Sequence, residues 1–492
     1  MMASKDAITF NLIGKKMGKI NNGYSFQRVL SLDALRGFAI LTMVLSGVIP
    51  YKVLPAWMYH AQLPPPTHTF DPHLPGLTWV DLVFPLFLFA LGAAIPLALT
   101  KRIEKNETLI KIWYYILERG FLLGFFAIFL RHVRPHVLNP NPSIRDWLIA
   151  LLGFFIMFGI FTRLPRNWNK RLRWSIKVVS WSGALLLLYL LKYPDGSRFS
   201  LYRSDIIIVV LTNVVVWGSI IWVLTRHNHL PRLGILGLLL AMRLANQSNG
   251  WFSVVWNFSP APWIFKIYYL QYLFIVIPGT IIGDFFLSWM KTPVPKESGE
   301  KSWPPSKLFI LLFLYGAILL SCLIGLQSRW VWQTFVVCSG LSLISYIMVK
   351  HPTTHSEQLL QKLTYWGIYF LIIGLLFEPF EGGIKKDHST LSYYLTTTGL
   401  AIFLLSIFMI IGDILGNKKS LNLLIDNGQN PMIAYVGIAN GIWPIFYLFS
   451  LDKIILKITA TPWLGFLRGV FYTFILSLLV QFFSRKKIFW KT

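Results

Sequence analysis

Between Leu82 and Leu99 the chain runs for eighteen residues without a charged side chain. As a helix rising ~1.5 Å per residue, such a run approaches the ~30 Å hydrocarbon core of a bilayer. Comparable runs recur along all 492 residues, and the mean hydropathy is +0.58. Charged residues make up 13% of the chain, where soluble domains carry about 25%. The runs are continuous rather than alternating, which excludes a β-barrel. The expected fold is therefore an all-α polytopic membrane protein, a bundle of about 12 helices (10 to 14) at ~20 residues each.

The first span is expected roughly from Arg36 to Pro50, with Ser31 and Asp33 capping its start. The run beginning at Leu82 forms the second. Further spans centre near Leu186, Val215, Phe274, Phe313, Val337, Leu371, Phe403, Gly437 and Phe474, with a short apolar piece near Leu238. Residues 1–30, with Lys15, Lys16, Lys19 and Arg28, read as a basic cytoplasmic tail. A polar linker, 291–306, separates an N-terminal bundle, 31–290, from a C-terminal bundle, 307–492. Basic residues precede the first span without an apolar core and cleavage site, so no cleaved signal peptide is expected.

The net charge of +26 is not read as a nucleic-acid signal. In a membrane protein, Lys and Arg collect in cytoplasmic loops. With the N-terminus inside, the inside loops hold roughly twice as many basic residues as the outside loops. Both termini are then cytoplasmic, the span count is even, and the loop 51–78 lies outside. Cys322 and Cys338 fall in apolar runs and read as small core residues.

Three stretches carry residues suited to chemistry. The first is the outside loop, with His60, His68, His73, Asp71 and the run Pro64–Pro65–Pro66, followed by Asp81 at the mouth of the second span. Zinc needs three or four ligands, and this carboxylate-poor loop favours no metal. A histidine near neutral pH suits a general base. The second stretch, Gly374 to Thr397, places Glu378 and Lys385 on another outside loop. The third, Asp426 to Gly437, brings Gln429 and Asn430 before a helix-starting proline, as amides for sugar hydroxyls or as caps. Asp33 and Arg36 sit at a span end and Arg119 within a span, where an ionisable group is paired or lines a wet site. No phosphate loop, dinucleotide fingerprint or zinc-protease motif occurs, which argues against ATP-driven transport and nucleotide-fold cofactors.

LDALRGFAILTMVL, the histidine loop and GLTWVDLVFPLFLFALGAAI resemble, in that order, the transmembrane acyltransferase family of heparan-α-glucosaminide N-acetyltransferase and its bacterial relatives. ERGFLLGFF, IKKDHSTLSYYLTT and GQNPMIAYVG are similar to later segments of that family, so the resemblance runs from about Leu32 to the end. It implies transfer of an acetyl group from cytosolic acetyl-CoA to an amino sugar on the far side, through a loop histidine. His60, followed by Ala61, matches that histidine best, and His68 is the rival within a longer loop. The family's asparagine late in the first span is replaced in a region holding Ser46 and Gly47. The resemblance further implies that Arg36, Arg119 and Asp33 serve the CoA site, that Asp81 serves the histidine, and that the protein is a homodimer. A transporter of a sugar or cell-wall fragment is the alternative, and a non-catalytic membrane component a third.

Overall fold

The computed structural model describes residues 28–165, 167–247, 250–292 and 302–492. Most of the expected basic tail, Arg166 and most of the 291–306 linker lie outside the described residues. Helices dominate, and among the described residues no strand occurs beyond a lone bridge between Thr162 and Trp490. Twelve helices among the described residues are long and apolar enough to cross a membrane. The protein is an all-α, multi-pass membrane protein.

In chain order the bundle begins with α1 (Leu30–Val48), α2 (Trp79–Ile103), α3 (Leu109–His132) and α4 (Ile144–Phe161). It continues with α5 (Lys170–Leu190), α6 (Ile206–Thr225), α7 (His229–Gln247) and α8 (Leu273–Lys291). After the linker come α9 (Pro305–Gln327), α10 (Val331–Met348), α11 (His355–Leu376) and α12 (Leu391–Met409). The last elements are α13 (Lys418–Gly428), α14 (Pro431–Gly437) and α15 (Pro462–Arg485). A π turn, Ile438–Ile442, extends α14 into a helical segment Trp443–Leu448.

α1 starts earlier than the apolar pattern suggests. Asp33 therefore lies inside the helix, where it pairs with Arg28 and Arg36 instead of capping from outside. α5 and α7 are too polar to count among the twelve, yet both run between the two ends of the bundle. Lys177 of α5 donates to the Thr162 carbonyl at one end, while Leu191 and Tyr193 pack with Leu138 at the other. Arg232 of α7 bonds Asp284 near the end of α8, while Arg243 pairs with Glu381 at the opposite end. Paired polar groups, a lysine on backbone carbonyls in α5 and ion pairs in α7, thus offset the loss of apolarity.

Close helix contacts rest on small residues, as expected where lipid supplies no hydrophobic drive between helices. A Cβ on Gly92 of α2 would lie 2.3 Å from the Val276 carbonyl of α8. A Cβ on Gly37 of α1 would lie 1.8 Å from the Leu424 carbonyl of α13. One hydrophobic core, from Leu35 and Phe89 to Leu371 and Phe403, runs through both sides of the linker. The outer faces are apolar: Leu467, Phe471, Phe474, Leu478 and Phe482 of α15 form an exposed stripe, as lipid contact requires.

Candidate functional site

The loop between α1 and α2 is folded on its own side chains. Tyr59 donates to the Pro50 carbonyl at 2.6 Å and accepts from the amides of Val53 and Leu54. Thr78 Oγ1 donates to the Tyr59 carbonyl at 2.7 Å. These bonds deliver His60 to the first turn of α2, where Asp81 sits at the third helical position. Asp81 Oδ2 accepts from the Thr78 amide at 3.1 Å, capping its own helix, and from the Ala61 amide at 3.0 Å. Its other oxygen, Oδ1, lies 2.8 Å from His60 Nδ1. The two roles open to Asp81, cap and histidine partner, are divided between its oxygens.

A carboxylate oxygen only accepts, so His60 Nδ1 donates to Asp81, and in a neutral imidazole the lone pair is then on Nε2. Lys386 Nζ lies over this ring, 3.1 Å from Nδ1 and 3.3 Å from Nε2. Desolvation holds the Lys386 ammonium below the ordinary lysine range, opposed by the charges of Asp81 and Asp387. Lys386 is set in place by a clasp between the two loops. Gln62 accepts from the Asp387 amide at 3.0 Å and donates to the Asp387 carbonyl at 2.9 Å. Below, Tyr393 of α12 donates to the Asp81 carbonyl at 2.8 Å.

The other residues expected beside His60 are elsewhere. His68 is buried against the Tyr59 ring, 5.0 Å between centroids, and does not reach Asp81. His73 is held by its amide to Asp71 at 2.9 Å in an exposed turn. Glu378 is buried, bonded to Arg329 at 2.6 Å and to the Ile384 amide, so it shapes the late loop rather than facing a ligand. Lys385 places its backbone on Thr390 while its neighbour Lys386 reaches the histidine. Nothing in a two-lysine loop sequence distinguishes these neighbours, and the Gln62 clasp that does is a long-range pairing.

Gln429 and Asn430, expected as amides for sugar hydroxyls or as caps, lie at the end of the bundle opposite His60. Asn430 is fully buried, donating to the Ile488 carbonyl at 2.7 Å and accepting from the Trp490 amide at 3.0 Å. Gln429 lines a cavity of about 340 Å³ together with Arg28, Arg36, Arg119 and Lys491. Arg36 is held there by the Gly428 carbonyl at 3.2 Å and Asp33 at 3.3 Å, and Arg119 Nε is buried without a partner. A neighbouring cavity of about 480 Å³ shares Arg28, Arg36 and Lys491 and adds Asp33 and Lys101. Burial, then the like charges of Arg163, Arg28 and Lys101, lower the Lys491 ammonium. This end of the bundle carries an excess of positive charge fit for a polyanion. The sequence pointed to Arg36 and Arg119 but missed Arg28 and Lys491, since only folding brings residue 491 beneath α1.

The two ends are joined by one helix. Ala94 of α2, in the basic cavity, is about 20 Å along the helix from Asp81. Between them lies an apolar gap of about 40 Å³ lined by Phe84, Phe87 and Tyr435. Among the described residues no group of His, Cys, Asp and Glu is placed to hold a metal ion.

No curated protein matches the chain. A family model does match it, over the stretch that contains His60, Asp81, Arg36 and Arg119 but not Lys386, Gln429 or Lys491. That model, the domain of unknown function DUF5009, matches residues 28–286, more than half of the chain, and the protein belongs to that family.

Proposed function

We propose that the protein is a transmembrane acetyltransferase. The basic end faces the cytoplasm and takes acetyl-CoA as co-substrate, and an amino-sugar acceptor meets the acetyl group at His60 on the far side. The observation that carries the reading is the His60–Asp81 pair beneath Lys386, with the Arg36 and Arg119 cavity at the other end of α2. In a bacterial cell the site would be the inner membrane, and the protein would act as a homodimer.

The chemistry follows from the hydrogen bonds. Asp81 fixes the tautomer that leaves Nε2 basic. His60 Nε2 takes the proton of the acceptor amine as its nitrogen attacks the thioester carbonyl, or first carries the acetyl group itself. The carbon–sulfur bond breaks, the new nitrogen–carbon bond forms, and the CoA thiolate leaves and is protonated. The Lys386 ammonium, over the ring, is positioned to stabilise the oxyanion of the tetrahedral stage. Arg36 and Arg119 hold the phosphates of CoA by paired N–H donation.

Thermal stability of the purified protein against acetyl-CoA and CoA tests the donor site. A ligand at a hundredfold excess over Kd stabilises the native state by ~2.7 kcal/mol, a clear concentration-dependent rise in melting temperature. No shift at millimolar ligand would turn the reading to transport of a sugar or cell-wall fragment. The apolar gap between the basic cavity and the His60 end favours that second reading. Uptake into proteoliposomes without any acyl donor would support it.

A further inference from the structure

At the histidine end a second cavity, of about 400 Å³, lies where α14 makes its π turn. Arg131 in the last turn of α3, with Arg134 and His136 just beyond it, forms one wall, and Ser46 and Gly47 at the end of α1 form another. Asn440, inside the π turn, donates to the Val133 carbonyl at 2.9 Å and fixes the arginine-bearing stretch against the cavity. π turns of this kind concentrate at functional sites.

The charges of this cavity are not balanced. Among the described residues no carboxylate lines it. Asp205 lies behind, 3.0 Å from Arg134 Nη2. Its oxygens are also shared with the Ile207 and Ile208 amides, whose helix they cap, and with the Tyr435 hydroxyl at 3.0 Å. Arg134 Nε is buried with no partner, and among the described residues the half-buried Arg131 side chain makes neither a hydrogen bond nor an ion pair. Of the two guanidiniums only Arg134 reaches a carboxylate, one already occupied, and Arg131 has none, at the edge of an apolar bundle where uncompensated charge is costly. An anion with several oxygens satisfies both forks at once. The cavity shares Met43, Ile207 and Tyr435 with the apolar gap that also meets Phe84, one helical turn below Asp81.

We propose that this cavity binds a phosphate group on the face that carries His60, borne by the acceptor sugar or by a lipid headgroup. Assigning the phosphate to the acceptor rests on the acetyl-transfer reading, whereas the anion site itself does not.

The test is a titration of the full-length protein in nanodiscs of zwitterionic lipid, at saturating CoA, with inorganic phosphate, glucosamine 6-phosphate and glucosamine. Wild type is compared with Arg131→Gln, chosen because Arg131 supports no other residue, and with Arg134→Lys as a second variant. Both phosphate probes are expected to bind wild type, with Kd raised at least tenfold in Arg131→Gln, and glucosamine is expected to bind at least tenfold more weakly. Loss of phosphate-probe binding in nanodiscs of phosphatidylglycerol would assign the site to a lipid headgroup, and retention to a soluble phosphate. No binding by wild type, or equal Kd in wild type and both variants, overturns the proposal. Failure of CoA alone to bind overturns the transfer reading and leaves the Arg131 comparison intact.

Discussion

Asp81 serves two masters through two oxygens, and its variants separate them. Asp81→Asn keeps one oxygen to accept from the Thr78 amide but has no second oxygen to fix the Nδ1–H tautomer of His60. Acetyl transfer is expected to fall by about 10²–10⁴-fold with little change in melting temperature. Asp81→Ala also leaves the Thr78 and Ala61 amides without their acceptor and should add a stability loss of about 1–3 kcal/mol, read by thermal unfolding. Lys386 calls for a pH experiment. Its folded-state value lies below the ordinary 10.5, so between the two values the unfolded chain holds more protons and stability rises with pH. Lys386→Met removes that dependence. Its melting temperature should exceed that of wild type at neutral pH, and the gap should close as pH rises toward 10.5. Its acetyl transfer should be slower at neutral pH and lack the alkaline decline of wild type. A neutral-pH stability gap of the opposite sign would mean the ammonium is well paired in the fold.

Helix packing is where the fold is least tolerant. Gly37 and Gly92 meet backbone carbonyls of α13 and α8, and a carbonyl cannot rotate aside as a side chain can. Gly37→Ala and Gly92→Ala should each cost about 1–3 kcal/mol in thermal or denaturant unfolding, while an Ala at Gly47, with open space around it, should be neutral. The elements also show what a sequence discloses. Runs such as Leu82 to Leu99 declare their helices because lipid demands uninterrupted apolarity. α5 and α7 were marked only near Leu186 and Leu238, because Lys177 is satisfied by carbonyls at the end of the preceding helix and Arg232 and Arg243 by carboxylates far along the chain. His60 and Asp81 were legible since the first turn of α2 and the single loop that precedes it hold them. Lys386 was not, because the Gln62–Asp387 clasp spans hundreds of residues.

Across the molecule, α2 connects a basic end to a histidine end, and the linker divides the chain without dividing its core. If the basic cavity holds CoA, Arg119→Gln should raise the CoA Kd by about tenfold, the loss of one charge-assisted contact, and leave the pH dependence of the His60 step unchanged. The most direct measurement is vectorial transfer in sealed proteoliposomes of known orientation. Radiolabelled acetyl-CoA is supplied to the basic end and glucosamine to the histidine end, and acetylated sugar is collected from the second compartment. Labelled sugar formed across the membrane by wild type, and lost in His60→Ala, is the expected result. Labelled sugar formed equally by His60→Ala, or only when donor and acceptor share a compartment, would contradict a transfer that crosses the bundle to His60.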